Sequence, residues 1–282
     1  MKVDWINILF IGSVHLLAVF SVVYMAAIHF SWWTLGLSFL WFGLCGFAIT
    51  GGYHRFFAHP SYKTNRILQA FHLFFGAASI QNSALKWSAD HRRHHSRTDT
   101  DLDPYNIRRG FMWAHILWIF YKDTEGELEG VKDLQADPLV HFQHRYYLPL
   151  VAVSGFILPA ALGMLWGDWI GALLVVGFLR LVVQWHATFA VNSVAHTIGN
   201  QPYSKKNSAR DSFWTALVTL GEGYHNFHHK FQLDYRNGIR WYQFDPTKWA
   251  IWSLSCLGIT GDLRRTPESK IRQARQSVLA VD

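Results

Sequence analysis

Fifty consecutive residues, 5–54, contain no Lys, Arg, Asp or Glu. A bilayer-spanning helix needs roughly 20 predominantly apolar residues, so this stretch is long enough for two. A break at His29-Phe30-Ser31 divides it into expected spans at residues 6–28 and 32–50. A second pair follows. Residues 148–166 carry no charge and residues 169–191 carry only Arg180, with Gly167-Asp168 making the turn between them. Charged residues are 16% of the chain, against roughly 25% in an average soluble protein. The expected fold is therefore an all-α integral membrane protein with four transmembrane helices.

The placement of Lys and Arg orients it. Of 26, Lys2 precedes the first span, 12 lie between the second and third, Arg180 is intramembrane, and 12 follow the fourth. Neither short outer turn holds any. Both termini and the long middle segment are thus expected in the cytoplasm, in a bacterial-type inner membrane. The first apolar run is too long for a signal-peptide core and runs straight into another span, so no cleavage is expected. Residues 51–145 and 193–282 should build a cytosolic helical cap, with the spans forming a single domain over 1–282. Apolar stretches at 67–80, 111–121, 213–220 and 249–257 read as helices on or in the interface. Attraction to anionic lipid headgroups accounts for most of the net charge of +7, with docking of an acidic carrier as the other reading, and no nucleic acid is implied.

Sixteen histidines are the compositional outlier. Nine fall in or beside short clusters: His54 and His59; His91, His94 and His95; His196; and His225, His228 and His229. The i, i+3, i+4 spacing places the three imidazoles of each triplet on one helical face. At about 1.5 Å rise per residue, His54 lies ~32 Å from Trp33, Asn192 ~34 Å and His196 ~40 Å from Trp169. A hydrocarbon core of about 30 Å puts all of them just past the cytoplasmic boundary.

Nine neutral imidazoles exceed one coordination sphere, so two metals are implied. Imidazole suits Zn, Cu, Fe and Ni, and an all-histidine set in a membrane enzyme points to redox iron. Only Glu222-x-x-His225 fits the paired Glu-x-x-His pattern of carboxylate-bridged di-iron bundles, and it fits once. Cys45 and Cys256 are too few for a disulfide scaffold or a four-cysteine metal site.

The runs His54–His59, His91–His95, Asn192-Ser193-x-x-His196 and Gly221–His229 resemble the membrane fatty-acyl desaturases, in particular the stearoyl-CoA (Δ9) desaturase branch. Gln81-Asn82, Asp103-Pro104, Arg108-Arg109-Gly110-Phe111 and Pro202-Tyr203 agree, and the similarity covers residues 51–263. The resemblance implies a four-span fold whose cytosolic cap holds a di-iron site. It assigns His54, His59, His91, His95 and His229 to one iron. It gives His94, His196, His225 and His228 to the other, with Asn192 reaching it through a water.

What it implies chemically is an O2-dependent acyl-CoA 9-desaturase that places a cis double bond in a saturated acyl chain. Breaking unactivated C–H bonds is beyond any side-chain base, so a metal must supply the chemistry while the protein positions the chain. Electrons are expected from a separate donor, ferredoxin-like or a small b-type haem protein with its reductase. Trp87, Trp185 and Phe189 are candidates for the channel wall. Arg92, Arg93, Arg108 and Arg109, with Lys86, are candidates for meeting phosphates. Animal acyl-CoA desaturases place an Arg two residues before the second box, where this chain has Ala89. Their basic stretch after the surface helix is diluted to Lys122-Asp123-Thr124-Glu125. Acyl-CoA is the favoured substrate, with acyl-lipid and acyl-carrier-protein substrates as alternatives.

Other readings compete. A membrane hydroxylase would use the same metal chemistry. A b-type cytochrome subunit or metal transporter would place paired histidines within the spans, whereas the nine lie beyond them. His15, His72, His115, His141, His144 and His186 lie outside the boxes and read as packed or hydrogen-bonded core or interface residues. Arg180 either pairs with a carbonyl, snorkels, or marks a site. Asp99-x-Asp101-x-Asp103 lacks the residues of a calcium loop and reads as partners for imidazole N–H groups or turn caps.

Overall fold

The computed structural model describes residues 2–122 and 128–280. Four helices are long and apolar enough to cross a membrane: α1 (Trp5–Ile28), α2 (Trp32–Ala58), and, later in the chain, α8 (Tyr147–Trp166) and α9 (Trp169–His196). Between α2 and α8 come β1 (Lys63–Thr64), α3 (Arg66–Ala77), α4 (Ala84–Arg97), α5 (Phe111–His115), α6 (Lys132–Gln135) and α7 (Pro138–Arg145). After α9 follow α10 (Phe213–Val218), α11 (His225–Lys230), α12 (Pro246–Cys256), β2 (Thr260–Gly261) and α13 (Glu268–Leu279). The architecture is helical, with one antiparallel strand pair in which Lys63 faces Gly261.

Two spans run further than the charge pattern marks. α2 continues from residue 50 to Ala58 and α9 from residue 191 to His196. Their last turns are buried within the protein, so the backbone can stay helical after the apolar run ends. At the turn end of the hairpins, Asp168 ties the two together. Its carboxylate accepts from Tyr24 Oη at 2.8 Å, Thr34 Oγ1 at 2.5 Å and Gly171 N at 3.0 Å. These donors offset the cost of burying a carboxylate away from water.

Arg180 pairs with carbonyls. It donates to Val176 O, Ala78 O and Gln184 Oε1 at 2.9–3.1 Å. The backbone it serves is the irregular connection between α3 and α4, where Ile80 and Asn82 take positive φ. Gln184 donates to Ser79 Oγ and Trp185 Nε1 to Ser79 O, both at 2.9 Å. Non-helical buried backbone is tolerated when protein groups satisfy it in this way.

The interfacial segments differ in detail from expectation. The helix expected over 67–80 is Arg66–Ala77, and those expected over 213–220 and 249–257 are Phe213–Val218 and Pro246–Cys256. The one expected over 111–121 is not continuous: α5 ends at His115 and a 3-10 turn, Leu117–Phe120, follows. The N-terminal segment captures this chain. Asp4 N donates to Phe120 O at 2.8 Å and Asn7 Nδ2 to Ile119 O at 3.0 Å, drawing Tyr121 into extended backbone. Of the diluted basic stretch, Asp123, Thr124 and Glu125 lie outside the described residues. Helix α13, not anticipated, packs Ile271 and Ala274 against Tyr203 and Phe227.

Candidate metal centre

Each histidine is placed by a local device. Over Ala48–Ala58, α2 widens to π-helical geometry, and His59 N bonds His54 O at 3.1 Å, five residues back. That repeat brings His54 and His59 together, their ring centroids 5.0 Å apart. Such π segments occur often at functional sites. On α4, Ser83 caps the N-terminus and Trp87, His91, His94 and His95 share one side. His196 closes a 3-10 turn that follows Ser193.

The run Gly221–His229 depends on its glycines. Gly221 has φ +99° and Gly223 presses on backbone: a Cβ there would lie 2.1 Å from Ala216 N. Buried Asn226 then fastens α11 to the preceding loop. It accepts from Tyr203 N and Ser204 N and donates to Ser204 O and Ala209 O, at 2.7–3.2 Å.

The nine imidazoles converge as two groups, His54, His59, His91, His95 and His228, and His94, His196, His225 and His229. Within each group one nitrogen per ring lies within 4.8 Å of every other. This corrects the assignment of the last two residues, because His228 belongs with His54 and His229 with His94. His225 and His229, i and i+4 on α11, share one face with Nε2 atoms 3.0 Å apart. His228, turned away by one residue, instead sets its Nε2 2.9 Å from both His54 and His95.

These groups fit metal ions. Cis ligands at the usual metal–imidazole distance of about 2.1 Å are about 3.0 Å apart, and the closest Nε2 pairs are 2.8–3.3 Å apart. His196 Nε2 is buried with no hydrogen-bond partner, which is unfavourable unless something else binds it. Burial, reinforced by neighbouring imidazoles, holds His59, His91, His95, His225, His228 and His229 well below the ordinary histidine pKa. Neutral rings are the ligand form.

Three outer partners set tautomers. Glu222 Oε2 accepts from His54 Nδ1 at 2.9 Å, and its other oxygen accepts from Arg55 at 3.0 Å. Arg55 is held in turn by Asp245, and Asn237 donates to Glu222. Burial alone would raise the Glu222 pKa, but His54 and Arg55 pull it down to about 2. Asp103 Oδ1 accepts from His94 Nδ1 at 2.8 Å. Ser208 Oγ donates to Asp99 Oδ1 at 2.6 Å and accepts from His196 Nδ1 at 2.7 Å. In all three rings Nδ1 carries the proton and Nε2 offers its lone pair to the site. Asp99 and Asp103 thus act on imidazoles, while Asp101 is exposed. By sequence alone Glu222 stands out only as half of a Glu-x-x-His pattern. Its signal was a lone carboxylate inside Gly221-Glu222-Gly223.

A narrow cleft leads to both groups. Its wall includes Phe42, Gly46 and Ile49 of α2, Trp87 of α4, and Gln184, Ala187, Thr188, Val191 and Asn192 of α9, and it touches His54, His91, His94 and His225. Trp185 and Phe189 are not on this wall. They lie on another face of α9, in a cluster with Ile11, Val14 and Leu181. Arg92 is also displaced from its expected role. Its five N–H groups go to Ala58 O, Gly130 O, Phe57 O and both oxygens of Asp133, so none remains for a phosphate. Arg93 reaches Asp90, and Arg109 lies over the Trp113 ring and near Asp101. Arg108 is exposed. Ala89 is buried.

Fold and site together define a helical protein with four helices able to cross a membrane and two groups of converging imidazoles, fit to hold metal, at the end of an apolar cleft. The sequence profile of the fatty acid desaturases matches residues 30–255. A probable acyl-CoA desaturase of Schizosaccharomyces pombe is 42% identical over 98% of this chain and 58% of its own length. Acyl-CoA desaturase 1 of Saccharomyces cerevisiae is 42% identical over 84% of this chain and 47% of its own. Stearoyl-CoA desaturase 5 of Bos taurus is 36% identical over 96% and 83%. The chain spans about half the length of the two fungal relatives. It belongs to the fatty acid desaturase family.

Proposed function

We propose that this chain is an acyl-CoA desaturase that uses O2 to place a cis double bond, at the Δ9 position, in a saturated acyl chain. The observation that carries the reading is the cleft ending on both imidazole groups. The reaction converts one –CH2–CH2– unit, O2, two electrons and two protons into –CH=CH– and two waters. Two irons, when bound, supply the oxygen chemistry that removes the hydrogens. His54, His59, His91, His95 and His228 would hold one. His94, His196, His225 and His229 would hold the other, with Asn192 beside them reaching it through a water.

The chain's own residues do the positioning. Phe42, Ile49, Ala187 and Val191 exclude water along the acyl chain, and Trp87 stacks on His91 at 4.8 Å, turning that ring towards the cleft. Glu222, Asp103 and Ser208 keep their histidines in the ligating tautomer. Arg108 and Arg109 are proposed to meet the phosphates of the carrier. Electrons come from a separate donor protein. The active site faces the cytoplasm, as the distribution of Lys and Arg favours. The relatives compared are eukaryotic and lend no support to a bacterial membrane.

The test is fatty-acid profiling by gas chromatography of cells expressing the chain and a matching donor, beside His94→Ala and His228→Ala. A new cis-monounsaturated acid is expected only with the intact histidines, while both variants still insert in the membrane. A hydroxylated product, or full activity in either variant, would overturn the proposal.

A further inference from the structure

Three histidines outside the metal groups touch one another: His15 on α1, His186 on α9 and His115 at the end of α5. His15 Nε2 is 3.1 Å from His186 Nε2, and His186 Nδ1 is 3.0 Å from His115 Nε2. His115 Nδ1 is 2.9 Å from Ser193 Oγ. At the far end, His15 Nδ1 lies 2.7 Å from the carbonyl oxygen of Ile11. A carbonyl only accepts, so His15 carries its proton on Nδ1 and presents a lone pair at Nε2. His186 then donates from Nε2 and accepts at Nδ1. His115 does the same, and the last donor is the hydroxyl of Ser193. Three neutral rings and one hydroxyl satisfy four hydrogen bonds with one proton each, all pointing the same way.

The chain ends at a sensitive place. Ser193 is the last α-helical residue of α9, and the tighter 3-10 turn Val194–His196 begins after it. Ser193 Oγ also lies 3.0 Å from Phe189 O, four residues back. A hydroxyl has one proton, and giving it to His115 withholds it from Phe189. Such a back-bond to the i−4 carbonyl bends a helix, so the choice of acceptor bears on how α9 ends. Asn192 stands just before this junction and His196 closes the turn just after it. Phe189 packs edge-on against His115 and His186, with ring centroids 5.9 Å away from each, fixing both rings.

We propose that His15, His186 and His115 are positioning residues, a hydrogen-bonded strut from α1 through α9 to α5 that orients the Ser193 hydroxyl and thereby sets Asn192 and His196 for the second metal. The inference rests on the reading of His94, His196, His225 and His229 as that metal's ligands.

The test uses the full-length protein loaded with iron, reading iron per chain and the Mössbauer spectrum of each iron during dialysis against a chelator. His115→Ala, and Ser193→Ala as the milder variant, should weaken the second iron by roughly 10–100-fold, the usual effect of losing an outer partner. The first iron's signal should not move. His186 separates strut from packing. In His186→Asn the amide oxygen falls near the Nδ1 position and still accepts from His115, so the second iron should be retained. In His186→Gln the amide nitrogen falls near the Nε2 position instead, and the second iron should be lost as in His115→Ala. Retention of both irons in His115→Ala and Ser193→Ala, or identical behaviour of the Asn and Gln variants, would overturn the strut. A wild-type chain that takes up no iron would overturn the metal reading itself, and the strut with it.

Discussion

Replacing Asp103 by Asn changes almost no volume and removes one charge. In the wild type, Asp103 Oδ1 accepts from His94 Nδ1 at 2.8 Å and Tyr105 N at 3.0 Å, and Oδ2 accepts from Asp99 N at 3.0 Å. An amide has one oxygen, so an N–H must face an N–H in either orientation. The better orientation keeps His94 and Tyr105 bonded and turns the new NH2 group on Asp99 N–H. An unsatisfied buried donor costs about 1–3 kcal/mol, and the bond to His94 loses its charge assistance, about 1 kcal/mol more. At about 2 °C per kcal/mol for a chain of this size, a Tm lower by about 4–8 °C is expected in metal-free protein. On the proposed two-metal reading His94 also becomes a poorer ligand, and the second metal should bind roughly 10–100-fold more weakly. Thermal unfolding in detergent, with iron per chain measured alongside, reads both effects. A Tm within about 1 °C of wild type together with unchanged iron retention would refute the role given to Asp103.

Acid should act in a definite direction. His59, His91, His95, His225, His228 and His229 have folded pKa values far below the ordinary value of about 6.5, so below that pH the unfolded chain binds protons that the native state does not. Stability of the metal-free protein is therefore fully present above that pH and falls below it, by up to about 1.4 kcal/mol per pH unit for each histidine. A denaturation midpoint that stays flat between about pH 8 and about pH 5.5 would contradict this. Gly223→Ala should cost about 1–3 kcal/mol or more, because its Cβ would meet backbone atoms of Thr215 and Ala216 at 2.1–2.7 Å. Iron content should fall with stability, since Tyr224 and His225 are displaced; a wild-type Tm and iron load would rule that out.

The sequence by itself determined everything that depends on composition and short-range spacing. The fifty uncharged residues and the second apolar pair specify spans because a helix needs only length and apolarity to cross a bilayer. The His-x-x-His-His spacing specifies a shared helical face for the same local reason, and so the nine ligand candidates were legible. Which rings converge with which was not. His228 and His229 are chain neighbours, and a turn of about 100° per residue sends them to different groups. Their assignment depends on how a six-residue helix is set against α2 and α4, through Gly221, Gly223 and Asn226. Glu222 reaches His54 across 168 residues of chain, and no local period encodes such a pair. Arg92 looked available for phosphate until Asp133 and three carbonyls took its five donors. Trp185 and Phe189 looked like channel wall until the roll of α9 turned Gln184, Ala187, Thr188 and Val191 to the cleft instead. Periodicity tells how residues on one element are arranged relative to one another; only the packing of elements decides what each face meets.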